Sequence, residues 1–333
     1  MRGITKDERK GEDLMVYTAG NWSVKDDEYS EMFLLQNLKQ FWLPEEVSLT
    51  NDLLTWEELS RPEQLAYMRV LGGLTLLDTI QGDIGMPEIA ETADSHQQKA
   101  VLTFMAAMEN AVHARSYSNI FLTLASQDDI DETFRWIERN GHLQKKAQII
   151  ATRYRMSKDT TYDSYMAKAA SVALESFLFY SGFYYPLYLA GQGKLRSSGE
   201  IISLIIRDES IHGVFVGLLA QKEIEGMPTE FVDMVEDQTL LMFDELLENE
   251  IAYTREIYDD IDLTHDVINF VKYNANKALN NLGYPARYEH DKVNPIVLNG
   301  LTIGGSHDFF SQKSSSYKKP TVEAVQDSDF YFD

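Results

Sequence analysis

Apolar positions recur along this chain every three to four residues, the spacing that keeps one face of a helix dry, and no period-2 alternation persists. The pattern predicts helices over Tyr29 to Phe41, Pro62 to Asp83, Gln97 to Leu124, Asp128 to Arg139, Gln144 to Arg155, Tyr162 to Ala190, Ser197 to Ile224, Thr229 to Tyr258 and Thr264 to Leu282. Thr55, with Glu58 three residues on, reads as a further helix start, and Ser198 as a cap. Gly72-Gly73 leave room for a close neighbour, and Gly283-Tyr284-Pro285 ends the last helix. Residues 1–20 read as a flexible arm. Asn299-Gly300, Gly304-Gly305 and Ser314-Ser315-Ser316 are loop signals, so residues 301–333 read as a flexible tail. One all-α domain, residues 21–300, is expected between them.

Charge and composition narrow the class. The 333 residues carry a net charge of −23, which disfavours nucleic acid, because phosphate contacts need a basic face. There is no cysteine, which excludes disulfides and thiol chemistry within this chain. The first twenty residues mix Arg2, Lys6, Arg9 and Lys10 with acids and have no apolar core, unlike a signal peptide. Apolar runs fall far short of a membrane span. A cytoplasmic protein without membrane attachment is expected.

Against that background, six side chains stand out. Asp78 sits among Leu76, Leu77 and Ile80; Glu175 lies in a stretch that is apolar all round; Glu109 and His113 are four residues apart; Glu209 and His212 are three apart. Each pair falls on one helix face. A lone Asp in such a run is ordinarily a turn or a salt bridge. Two acid/imidazole pairs plus single carboxylates on two further helices are instead the recipe for a di-metal site inside a bundle. Four carboxylates with two imidazoles suit Fe(II) or Mn(II) rather than structural zinc. Glu109 and Glu209 are the natural bridges, Asp78 and Glu175 terminal ligands, and Asp208 an outer partner. Tyr117, one turn beyond His113, is either a packed core tyrosine or a side chain close enough to be oxidised.

The set Leu76-Leu77-Asp78, Met108-Glu109, His113-Ala114-Arg115-Ser116-Tyr117-Ser118, Leu174-Glu175-Ser176-Phe177-Leu178-Phe179-Tyr180-Ser181-Gly182-Phe183 and Ile206-Arg207-Asp208-Glu209 with His212-Gly213 closely resembles the small, radical-generating subunit of class Ib ribonucleotide reductase. The resemblance runs from about Trp22 onward, through Gln40-Phe41-Trp42-Leu43-Pro44-Glu45-Glu46 to Asn294-Pro295-Ile296-Val297-Leu298-Asn299-Gly300-Leu301. It implies a ferritin-like bundle with additional helices. It also implies a dinuclear manganese or iron centre that oxidises Tyr117 to a stable radical, with a flavodoxin-like activator serving the manganese form. The radical equivalent would pass to a separate large subunit that reduces ribonucleoside diphosphates. Trp42 and Asp208 would form the exit route through His113, Tyr317 a mobile relay, and Phe330 and Phe332 the docking tail. The lack of cysteine agrees, since reducing thiols then belong to the partner. Apolar helix surface beyond the bundle makes a C2 homodimer expected.

One spacing departs from the common family pattern, in which the first Glu and His are three apart. A strict alignment would put Asn110 in the ligand slot, and a neutral amide is a poor bridge between cations. A π-bulge between Glu109 and His113 would absorb the extra residue. The rival readings are a stand-alone ferritin-like oxidase or iron-handling protein, and a non-enzymatic helical scaffold.

Overall fold

A computed structural model of the protein describes residues 17–303. The expected arm lies mostly, and the expected tail almost wholly, outside them. Among the described residues every regular element is helical: α1 (Ser30–Gln40), α2 (Asp52–Glu57), α3 (Arg61–Ile80), α4 (Met86–Glu91), α5 (His96–Met108), α6 (Ala114–Leu124), α7 (Gln127–Arg139), α8 (Gly141–Met156), α9 (Thr161–Ala173), α10 (Tyr180–Gly191), α11 (Arg196–Glu225), α12 (Thr229–Tyr258), α13 (Thr264–Asn281) and α14 (Pro295–Ile303). None of these helices is long and apolar enough to cross a membrane.

Four rods build the centre. Three are joined across single π-helical turns: α3 to α4 through Gln81–Gly85, α5 to α6 through Glu109–His113, and α9 to α10 through Leu174–Leu178. The fourth is the unbroken α11. It packs on α9 and α10, and α3 packs on α6 and α10. Outside them, α8 lies on α9, α12 bridges α8 and α13, and α1 crosses α5 and α11. The expected close approach at Gly72-Gly73 is present: a Cβ on Gly72 would stand 2.7 Å from Ile137, and one on Gly73 would collide with the Tyr253 hydroxyl.

Two helix starts differ from expectation. Thr55 lies inside α2, not at its cap. Ser198 does not cap α11 either, because the helix begins at Arg196, after Leu195 in the left-handed region (φ 45°). The cap comes from another helix. The Asp52 carboxylate accepts from the backbone N–H groups of Ser197 (3.0 Å) and Ser198 (2.7 Å), while Thr55 Oγ1 accepts from Leu195 N–H (3.0 Å). A carboxylate at a helix N-terminus satisfies orphan donors and meets the positive end of the dipole.

The chain end of the bundle also differs. Asn299-Gly300 is not a loop but part of α14, which crosses the expected boundary at 300 and lies along α10 and α11. Gly300 and Gly191 are glycines of close approach. A Cβ on the first would meet the carbonyl oxygen of Leu187, and a Cβ on the second that of Ile296.

One ion pair is sealed in the core. Lys146 Nζ of α8 lies 3.0 and 2.8 Å from the two oxygens of Glu250 on α12, with 1% and 0% side-chain exposure. The Ser181 hydroxyl donates to the same carboxylate, and the ammonium sits 3.8 Å from the Tyr253 ring centroid. Removing one partner of such a pair leaves a buried charge uncompensated, at a cost of about 3–5 kcal/mol, whereas replacing both is often neutral. Glu250→Ala is therefore expected to lower the thermal midpoint steeply and Lys146→Met with Glu250→Leu to recover most of the loss. A double variant less stable than the single one would contradict this account.

Candidate metal centre

Asp78, Glu109, His113, Glu175, Glu209 and His212 are all at 0% exposure, and the four rods bring them to one place. Ligand-type atoms of Glu109, Glu175, Glu209 and His212 lie within 4.8 Å of one another, as do those of Asp78, Glu109 and His113. Glu109 belongs to both groups. Its Oε2 is 3.0 Å from His113 Nδ1 and its Oε1 2.9 Å from His212 Nδ1. Glu209 repeats the pattern, with Oε1 3.1 Å from His113 Nδ1 and Oε2 3.6 Å from His212 Nδ1. Each of these two carboxylates thus turns one oxygen toward either imidazole. Asp78 stands at the His113 end; Glu175, 4.0 Å from His212, at the other.

The local backbone explains the four-residue spacing. Glu109 opens a π turn and His113 closes it, so the inserted residue is absorbed and both side chains face inward. Asn110 is exposed and its side chain lies over Gly82, away from the cluster. The carboxylate, not the amide, occupies the inward position.

The electrostatics are those of four carboxylates and two imidazoles crowded into a dry interior. Burial pushes the Asp78 carboxyl well above its usual range, and the neighbouring Glu109 charge adds to that. Burial likewise raises Glu175; His212 opposes the shift, while Glu209 and Glu109 reinforce it. Glu109 goes the other way: burial disfavours its charge, but His113 and His212 overcome this and bring it to about 2. Both imidazoles are pushed well up, because the carboxylates around them outweigh desolvation. Among the described residues, no hydrogen bond of good geometry reaches either oxygen of Asp78 or Glu209, Glu109 Oε1, Glu175 Oε2 or either nitrogen of His212, the close contacts between them being poorly aligned. Buried polar atoms normally find partners, and unpaired buried carboxylates cost several kcal/mol each. Two hard-to-borderline dications would satisfy this oxygen-rich set, one imidazole to each. The residues present fit such a group.

Around the cluster the outer contacts are ordered. His113 Nε2 lies 3.2 Å from Asp208 Oδ2, and the same oxygen accepts from Trp42 Nε1–H at 2.8 Å. Gln40 Nε2 donates to Asp208 Oδ1 at 2.8 Å. Trp42 is 3% exposed, and its ring stacks on that of His113 at 6.4 Å. Tyr117 is wholly buried. Burial raises its phenol well above the usual value, and Asp78 is the charge acting on it most strongly. Its hydroxyl faces the Asp78 carboxylate without a hydrogen bond of good geometry among the described residues. Tyr317, Phe330 and Phe332 lie outside the described residues. Two participants were not singled out from the sequence. Gln40 sits two residues before Trp42, and Gln81 lies three residues after Asp78 on the same face, a polar side chain in an apolar run.

A bundle of this kind, with paired carboxylates and imidazoles at its centre, defines a ferritin-like protein. Comparison with known proteins narrows the class. The family profile described as "Ribonucleotide reductase, small chain" matches residues 20–295. The ribonucleoside-diphosphate reductase subunit beta of Bacillus subtilis (strain 168) is 57% identical over 320 residues, covering 96% of this chain and 97% of that protein. The protein of the same name from Bacillus phage SPbeta is 57% identical over 319 residues, covering 95% and 97%. The crystal structure of Streptococcus sanguinis dimanganese(II)-NrdF superposes with a TM-score of 0.82 at 41% identity, covering 86% of this chain and all of that one. The chain belongs to the ribonucleotide reductase small-chain family and is the small subunit of an oxidoreductase.

A cation seated between these carboxylates relieves their repulsion only in the folded state. Saturating Mn(II), at about a hundred times its dissociation constant, is therefore expected to stabilise the metal-free protein by about 2.7 kcal/mol per ion. Thermal scans should show the increment, and Glu175→Ala should lose much of it. An unchanged midpoint in the unaltered protein would count against cation binding here.

Proposed function

We propose that this chain generates and stores a tyrosyl radical on Tyr117 and passes it to the large subunit of ribonucleotide reductase, for reduction of ribonucleotides to deoxyribonucleotides. One observation carries the reading: Asp208 Oδ2 is shared by Trp42 Nε1–H and His113 Nε2, so a continuous contact leads from the cluster to an indole at the edge of the bundle. A stand-alone oxidase or iron-handling protein has no use for that contact.

Asp78, Glu109 and His113 would hold one ion and Glu175, Glu209 and His212 the other, with Glu109 and Glu209 spanning both. A dinuclear manganese or iron centre would supply the one-electron oxidising power once oxygen, for iron, or an oxidant delivered by the activator, for manganese, had raised it above the divalent state. The relative from Streptococcus sanguinis, named as a dimanganese(II) protein, supports manganese as one of the two candidates. Tyr117 gives up one electron and its phenolic proton, for which the Asp78 carboxylate is the acceptor at hand. Its full burial keeps the neutral radical from water and reductants. On transfer, the electron that refills Tyr117 enters through Trp42. The Asp208 carboxylate can take the indole proton as the electron leaves, so charge does not build up in a dry interior.

The partners follow from the same reading. A large subunit supplies the thiols and nucleotide site, with Tyr317 as the relay in the tail and Phe330 and Phe332 as docking side chains. A flavodoxin-like activator serves the manganese form. The working unit is a homodimer in the cytoplasm, for which Leu54 and Leu122 on the adjoining helices α2 and α6, 75% and 70% exposed, offer apolar surface.

Protein reconstituted with Fe(II) and oxygen, or with Mn(II) and the activator, should show a tyrosyl signal by electron paramagnetic resonance, and Tyr117→Phe should abolish it while still binding two ions per chain. A variant that kept the signal would refute the assignment. Trp42→Phe and Asp208→Asn are expected to retain the Tyr117 signal but to drop turnover with the large subunit to background. Full turnover in both would remove the proposed exit route.

A further inference from the structure

Behind Glu175 lies a second buried array that the account above does not use. Gln81, at 0% exposure, opens the π turn that joins α3 to α4. Its Nε2 donates to Ser171 Oγ at 2.8 Å and to Glu175 Oε1. Its Oε1 accepts from the Tyr154 hydroxyl at 2.5 Å. Tyr154, on α8, is itself wholly buried. Gly85 makes the meeting possible: a Cβ there would stand 2.5 Å from Gln81 Oε1 and 2.7 Å from the Tyr154 ring.

The polarity of this chain follows from Glu175. The Ser171 hydroxyl suits either end of the amide, but with Glu175 ionised, as it is when it holds a cation, a flipped amide would set oxygen against a carboxylate oxygen. Tyr154 must then donate, and the amide must present N–H to Glu175. One Glu175 oxygen is thereby occupied. The other, Oε2, has no hydrogen-bond partner among the described residues and lies on the His212 side.

We propose that Gln81 is a positioning residue that restrains Glu175 to offer a single oxygen to the His212-side ion, with Tyr154 locking the amide in the required orientation. The proposal rests on the metal reading above. Gln81 is carried by the same rod as Asp78, so one segment supplies a ligand at one end of the cluster and steers a ligand at the other.

The test is a Mn(II) titration of the full-length metal-free chain, read from the resonance of free Mn(II), with thermal midpoints of the metal-free variants alongside. Gln81→Leu should weaken one of the two binding steps by roughly 10–100-fold, the range for loss of an outer partner of a ligand, and leave the other step unchanged. Tyr154→Phe should move the same step in the same direction but less. The double variant, which also removes the stranded phenol and so protects folding, should bind like Gln81→Leu alone. Unchanged affinity for both ions in a folded Gln81→Leu or double variant would overturn the proposal, as would equal losses at both steps. Unaltered protein that takes up no Mn(II) would instead overturn the metal reading on which this one stands.

Discussion

Mutual repulsion among Asp78, Glu109, Glu175 and Glu209 is the constraint on which the architecture depends. Four acids in a dry interior disfavour the folded chain, yet all four are held at zero exposure. Only a large apolar surround can sustain that. The rods supply it: α9, α10 and the turn between them are buried almost throughout, and α11 contributes Ile201, Ile202, Ile205 and Phe215 to the core. Stability gained by burying those side chains, about 1.5–3 kcal/mol each, offsets the strain at the centre. The π turns belong to the same compromise. Two of the four rods depart from regular α geometry at members of the cluster, Glu109 with His113 and Glu175, and a third does so three residues past Asp78; at Glu109 and His113 a regular helix would aim one of the two side chains elsewhere.

Much of this was legible in the residues. Helical periodicity located most of the long rods, and acids or imidazoles inside apolar runs marked all six inward-facing donors. The π turn at Glu109–His113 could be read because two donors four apart had to share a face with an exposed Asn110 between them. The turns at Gln81–Gly85 and Leu174–Leu178 each carry one inward acid or none, so no spacing betrayed them. Asp52 as the cap of α11 was unreadable for another reason: its partners, Ser197 and Ser198, lie some 145 residues away in sequence. Local signals also misread Gly300 as a breaker. Its neighbour in space is the backbone of α10, and only a glycine lets that backbone so close.

The surroundings of the buried tyrosines separate Tyr117 from the rest. Tyr154 is equally buried and connects to the cluster through Gln81, but its proton faces an amide oxygen, a very weak base. Tyr67, Tyr185 and Tyr258 stack on one another edge to face, remote from any of the six donors in their ring contacts. Tyr154 and Tyr117 both have a cluster carboxylate as their strongest charged neighbour, Glu175 for Tyr154 and Asp78 for Tyr117, but an amide stands between the Tyr154 hydroxyl and the cluster and none stands before Tyr117. Oxidation of a phenol in a dry site needs somewhere for the proton to go, and on the proposed function that requirement favours Tyr117 over others of similar burial.

The interlock of α14 with α10 reaches beyond the bundle. Backbone pressed on backbone at Gly191 and Gly300 makes Ile303 a fixed post, and whatever follows is leashed to it. Fourteen peptide steps separate Ile303 from Tyr317, a contour of roughly 50 Å at full stretch. If Tyr317 is the relay proposed above, its half of the path must fit inside that radius.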